Sequence, residues 1–164
     1  MMQNNQKFRT LCATRSRSSN KFEDSEGGAM RELRRILHVD DDEDIRAIGA
    51  LALELVGQFE LRQCASGKQA IKEAQAFRPD LLLLDYMMPE MDGNETLCEL
   101  RKLPNLSDVP VVFMTARVNE ELSNSLCRNG ALDVIAKPFD PIVLADRLRE
   151  LWRTFNDLES GNVM

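Results

Sequence analysis

The chain has 164 residues, 43% of them hydrophobic and 29% charged, which suffices for one domain of ordinary size and is too short for two comfortable ones. Its 21 basic and 27 acidic residues leave a net charge of -6. That balance argues against nucleic acid as a partner, because phosphate backbones attract Lys and Arg, and no stretch approaches the ~18 uncharged apolar residues of a membrane helix. The four cysteines (Cys12, Cys64, Cys98 and Cys127) lie far apart with no paired CxxC, a spacing that fits neither a zinc site nor a small disulfide scaffold and points to a reducing cytoplasm.

In chain order, residues 1–30 come first and read as a disordered polar tail. They are rich in Gln, Asn, Ser, Arg and Gly and show no apolar period. The first 22 residues carry five basic side chains (Lys7, Arg9, Arg15, Arg17, Lys21) and no acid, a composition shared with transit peptides. Met30 is an alternative natural start. Without the first 29 residues, five positive and three negative charges go, leaving 16 minus 24, or -8.

From residue 34 short apolar runs alternate with helical patterns. Residues 34–39 form a strand ending in acids, and 44–57 a helix with Ile45, Ile48, Leu51 and Leu55 at helical spacing. Residues 59–63 alternate like a strand. Ser66 caps a helix through about Phe77, with Ala70, Ile71 and Ala74 on one face. Leu81–Leu84 is a continuous apolar run, as in a strand buried on both faces. Residues 93–102 form a helix stopped by Pro104, 111–114 a fourth strand, and 119–129 a helix ended at Gly130. Residues 132–136 are the fifth strand. Residues 142–155 are the last helix, with Leu144, Leu148, Leu151, Trp152 and Phe155 facing inward. Residues 31–158 are thus the folded domain and 159–164 a short tail, with no room left in this sequence for an output domain.

Five strand-helix pairs in succession imply an α/β, doubly wound parallel sheet covered on both faces. Polar residues then gather at the carboxyl ends of the strands, where open α/β sheets bind ligands. Asp40 and Asp41 follow the first strand, Asp85 the third and Lys137 the fifth, and Thr115 ends the fourth. The second strand supplies nothing, which suits the order 2-1-3-4-5 with that strand at a margin. Three close carboxylates repel unless a cation relieves them. An all-oxygen set of this kind suits Mg²⁺, a lysine holds a further anion as a point charge, and a threonine hydroxyl donates to a phosphoryl oxygen. The set reads as a site that accepts a phosphoryl group on a carboxylate.

The segments ILHVDDDEDIR (36–46), LLLLDYMMPEMDG (81–93), VVFMTA (111–116) and AKPF (136–139) occur in order and span nearly all of residues 33–157. Together they resemble the receiver domain of two-component response regulators. The resemblance implies a flavodoxin-like (βα)5 fold and a single-domain phosphoacceptor rather than an enzyme acting on other substrates. It implies Asp85 as the phosphoacceptor, and Asp40, Asp41, Asp85 and the backbone carbonyl of Met87 as the Mg²⁺ ligands. It implies Thr115 as the switch hydroxyl and Lys137 as the partner of the phosphoryl group. The family often has a cis peptide before the proline after this lysine, here Lys137–Pro138. The implied donor is a sensor histidine kinase or a histidine phosphotransfer protein, and the implied output surface is the fourth helix, fifth strand and fifth helix. Neither nucleic acid nor membrane is an expected direct partner.

Three positions are expected to tune the switch. Where the family commonly has an aromatic residue, three before the lysine, this chain has Val134, too small to swing inward as a plug. Met87 and Arg117, each two residues after a site residue, resemble positions that govern water's access to the phosphoryl group. Other readings compete. A haloacid-dehalogenase-like phosphatase would use Asp40 and Asp42, yet no late acidic pair or cap is visible and Asp85 would be idle. A Ca²⁺ loop over Asp40, Asp42 and Asp44 fails for want of its glycine and its Glu. A pseudo-receiver without chemistry would not retain all five polar groups. His38, the only histidine, reads as a buried, hydrogen-bonded core residue.

Overall fold

The structure is a computed structural model, and it describes residues 31–161. The expected tail, the alternative start at Met30 and the last three residues lie outside the described residues. Five strands form one parallel sheet: β1 (Arg35–Val39), β2 (Glu60–Cys64), β3 (Leu81–Asp85), β4 (Val111–Thr115) and β5 (Ala131–Ala136). Their order is β2-β1-β3-β4-β5, as the distribution of polar strand ends predicts. The helices are α1 (Glu43–Ala50), α2 (Gly67–Phe77), α3 (Gly93–Arg101), α4 (Glu120–Arg128) and α5 (Leu144–Glu159).

Alternation along the strands divides the core in two. Leu37, Val39, Leu82, Leu84 and Phe113 pack with residues of α2, α3 and α4 on one face. Ile36, Leu81, Leu83, Val112 and Met114 pack with α1 and α5 on the other. Every residue of β3 and β4 is buried, which explains why these runs are wholly apolar up to their last residue. Trp152 lies in the second core, with its indole N–H donating to the Arg31 carbonyl at 2.6 Å.

Local chemistry sets the helix starts. Ser66 accepts from Gln69 N at 3.2 Å to begin α2. Asp92 and Glu95 form a reciprocal capping box at α3. Asn119 accepts from Leu122 N at 2.8 Å at α4. At the other end of α4, Gly130 adopts φ 99, a left-handed conformation that glycine takes without steric cost.

The first helix departs from expectation. The α-helical part ends at Ala50, and Leu51–Val56 forms a π-helical turn in which Gly57 N donates to Ala52 O. The face turned to the sheet is not the expected one. Gly49, Ala52 and Leu53 are the buried residues, whereas Ile48, Leu51 and Leu55 are 39%, 49% and 72% exposed. The sheet leaves no room for larger groups there, since a Cβ on Gly49 would lie 2.7 Å from His38 Cε1.

Candidate functional site

The turn after β1 is built around Asp40, which is fully buried. One carboxylate oxygen accepts from Asp42 N at 2.9 Å, and the other meets Lys137 Nζ at 3.1 Å. Asp42 turns its own carboxylate to the start of α1, accepting from Asp44 N at 2.9 Å and Ile45 N at 3.3 Å. Acids suit that place because the first amides of a helix lack partners. Asp41 stays exposed beside them. Asp85 ends β3, is buried, and lies 3.1 Å from Lys137 Nζ, while Met87 N donates to it at 3.3 Å.

Asp40, Asp41 and Asp85 each offer a carboxylate oxygen within 4.8 Å of the others. Among the described residues only Lys137 bridges two of them, so with all groups ionised the cluster there holds three negative charges against one positive. Burial pushes the Asp85 carboxyl up to about 7, with the Asp40 charge adding to the rise and Lys137 opposing it. Burial alone would lower the Lys137 ammonium, but its hydrogen bonds to Asp85 and Asp40 outweigh this and hold it above its usual value. An excess of carboxylate oxygens over cations is the chemistry of a divalent-cation site, and hard oxygen donors match Mg²⁺.

Thr115 closes β4, buried, with its hydroxyl oxygen accepting from Arg117 N at 3.2 Å. Its carbonyl accepts from Lys137 N at 2.8 Å, so these two expected site residues are tied through the backbone. The Lys137–Pro138 peptide is cis. Val134 lies in β5 opposite Phe113, half-buried against the first core. Met87 is 69% exposed and Arg117 is exposed. His38 is buried, with Nδ1 3.0 Å from Gln63 Nε2.

Two features escape a sequence reading. Arg46 donates to the Asp40 carbonyl at 2.7 Å; its place in the first turns of α1 is the only hint. Gly93 touches the backbone at the end of β3: a Cβ there would stand 2.3 Å from the Asp85 carbonyl oxygen.

The same region is matched by known proteins. The family model for the response regulator receiver domain matches residues 36–149. The transcriptional regulatory protein CseB of Streptomyces coelicolor is 36% identical over 133 residues, which are 81% of this chain and 55% of CseB. The phosphate regulon transcriptional regulatory protein PhoB of Pseudomonas aeruginosa is 36% identical over 118 residues, 72% of this chain and 51% of PhoB. The chain therefore spans about half the length of these relatives. Among solved structures, the chemotaxis protein CheY4 of Vibrio cholerae is similar with a TM-score of 0.68 and 28% identity, over 73% of this chain and 99% of that one. A response regulator from Desulfuromonas acetoxidans gives 0.65 and 28%, over 73% and 97%. Receiver domains are signalling modules of two-component systems rather than metabolic enzymes, and by the family model, the relatives and the fold alike this chain belongs to the response regulator receiver domain family.

Proposed function

We propose that this chain accepts a phosphoryl group on Asp85 from a phosphohistidine of a sensor kinase or phosphotransfer protein. The observation that carries the reading is the position of Lys137 Nζ, 3.1 Å from both Asp40 and Asp85 at the edge where three carboxylates converge. An Asp85 oxygen attacks phosphorus. The P–N bond breaks, and the donor imidazole leaves neutral, keeping the proton on its other nitrogen. The Lys137 ammonium stabilises the charge on the transferring oxygens. The Thr115 hydroxyl donates to one of them once the mixed anhydride has formed. Asp40, Asp41, Asp85 and the Met87 carbonyl are the groups that would hold Mg²⁺, which when bound supplies charge neutralisation for the transfer.

The chain catalyses its own phosphorylation and dephosphorylation and no other turnover in this reading. Met87 offers an attacking water no hydrogen bond, which favours a long-lived phosphoryl group. The product carries about two negative charges near neutral pH. That change shifts an existing equilibrium at the surface of α4, β5 and α5. Val134 leaves this shift without an aromatic plug, so a crystal pair with and without a phosphoryl mimic should show little motion there.

We further propose a stand-alone module working in the cytoplasm. Support comes from CheY4, which is matched over 99% of its own length. No helix among the described residues is long and apolar enough to cross a membrane. The decisive experiment is incubation with acetyl phosphate and Mg²⁺ followed by intact mass. One added phosphoryl group, lost in Asp85→Ala, is expected; an unmodified wild-type protein overturns the proposal.

A further inference from the structure

Behind the acidic edge lies a polar relay that the chemistry above does not use. Gln63 sits on the marginal strand β2, paired with His38 of β1. Its Nε2 lies 2.7 Å from the Arg46 carbonyl oxygen and 3.0 Å from His38 Nδ1. An amide oxygen in that place would face the carbonyl lone pairs, so the nitrogen belongs there, and its two hydrogens serve the two acceptors. His38 Nδ1 therefore carries no proton, and the ring is held neutral. Gly49 lets α1 rest directly on that ring. Arg46, whose carbonyl Gln63 holds, reaches back with Nη1 to the Asp40 carbonyl at 2.7 Å. The acidic turn is thus tied to α1, and α1 to the edge of the sheet, by side chains that touch none of the three carboxylates.

We propose that Gln63 and Arg46 are positioning residues that hold the Asp40–Asp41 turn in its cation-binding geometry, so that affinity for a divalent cation is set partly from β2. The proposal rests on the phosphoacceptor reading. Partners that orient ligands without touching the metal typically carry ten- to a hundredfold of metal affinity. The sign of the effect separates positioning from plain electrostatics. Arg46 is a positive charge near a cation site, so removing only its charge would tighten cation binding. Removing a clamp weakens it.

Calorimetric titration of the full chain with MgCl₂ tests this, using Arg46→Met, Arg46→Lys, Gln63→Leu and Gln63→Asn. Roughly tenfold weaker Mg²⁺ binding is expected in Arg46→Met and Gln63→Leu, with partial recovery in Arg46→Lys. Gln63→Asn, one methylene too short to reach both acceptors, gives the same answer should Gln63→Leu fail to fold. Unchanged or tighter binding in folded Arg46→Met and Gln63→Asn overturns the clamp and leaves the phosphoacceptor reading intact. A wild-type chain that binds no Mg²⁺ overturns both.

Discussion

Replacing Asp85 by Asn should stabilise the metal-free protein at alkaline pH and leave it unchanged in acid. Asp85 is an acid whose folded-state value is raised from 3.8 to about 7. The folded state therefore binds its proton more tightly than the unfolded chain does. The associated stability is present in acid and is lost as pH rises from about 4 to about 7. A shift of this size corresponds to about 4 kcal/mol at most. His38 runs the other way. Burial first, then the charges of Lys137 and Arg46, lower it from 6.5 to about 3. The unfolded state then binds the extra proton, and stability rises with pH over roughly that interval. In wild type these two contributions oppose each other between about pH 4 and pH 6.5 and nearly cancel. In Asp85→Asn only the histidine slope remains. Urea unfolding in metal-free buffer should show equal stabilities at pH 4 and a more stable variant at pH 8. Adding Mg²⁺ to a hundred times its dissociation constant should return about 2.7 kcal/mol to wild type and less to the variant. Equal stability at pH 8, or a weaker variant there, would refute the assignment of Asp85 as the strained member of the cluster.

Gly93→Ala should lower the melting temperature sharply. Its Cβ would meet the Asp85 carbonyl oxygen at 2.3 Å and Tyr86 Cα at 3.0 Å, backbone atoms that cannot swing aside, at a cost of more than about 2 kcal/mol; a melt within 2–3 °C of wild type (roughly 1 kcal/mol or less at this size) contradicts the contact. Met87→Asn should shorten the phosphoryl lifetime several-fold when decay is followed by intact mass, because it gives water a hydrogen-bonding guide; an unchanged lifetime removes that argument. Leu55→Glu should slow transfer from a protein donor while leaving the acetyl phosphate rate alone, since Ile48, Leu51, Leu55 and Val56 expose apolar surface on the helix that starts at the acidic edge. Equal slowing of both reactions would place Leu55 in the fold rather than in a contact surface.

Strands β3 and β4 were legible because each is an uninterrupted apolar run with one polar residue at its end, and burial on both faces demands that pattern, whereas β2 was legible by its alternation. The same feature made Asp40, Asp85, Thr115 and Lys137 stand out, since a polar residue ending a buried strand has no packing role. The face of α1 was not legible. Its apolar period points Ile45, Ile48, Leu51 and Leu55 inward; Ile45 does pack against the second core, but with the imidazole beneath Gly49 it is Gly49, Ala52 and Leu53 that are buried in place of the other three. Periodicity counts hydrophobic residues and cannot see what lies beneath them. Gln63 and Arg46 were equally hidden. A glutamine in a marginal strand and an arginine in an acidic helix look like solvated surface until the register sets Gln63 beside His38.

Hydrogen bonds between neighbouring strand ends bear on how a charge at Asp85 is felt elsewhere. Asp40 N donates to the Cys64 carbonyl, Tyr86 N to Met114 and Lys137 N to Thr115. Each site residue, or its immediate neighbour, is thereby pinned to the adjacent strand. Under the phosphoacceptor reading, a doubly charged group on Asp85 would meet backbones held by these bonds, and its first effect would fall on side chains. Lys137 is already shared between two carboxylates, and an added anion draws it from Asp40 toward Asp85. The Thr115 hydroxyl oxygen accepts from the Arg117 amide, and its proton is left to donate elsewhere. Under the phosphoacceptor reading, with Val134 too small to report a vacated space, the turn after β4, held to Thr115 by that Arg117 amide, is where a rearrangement would begin.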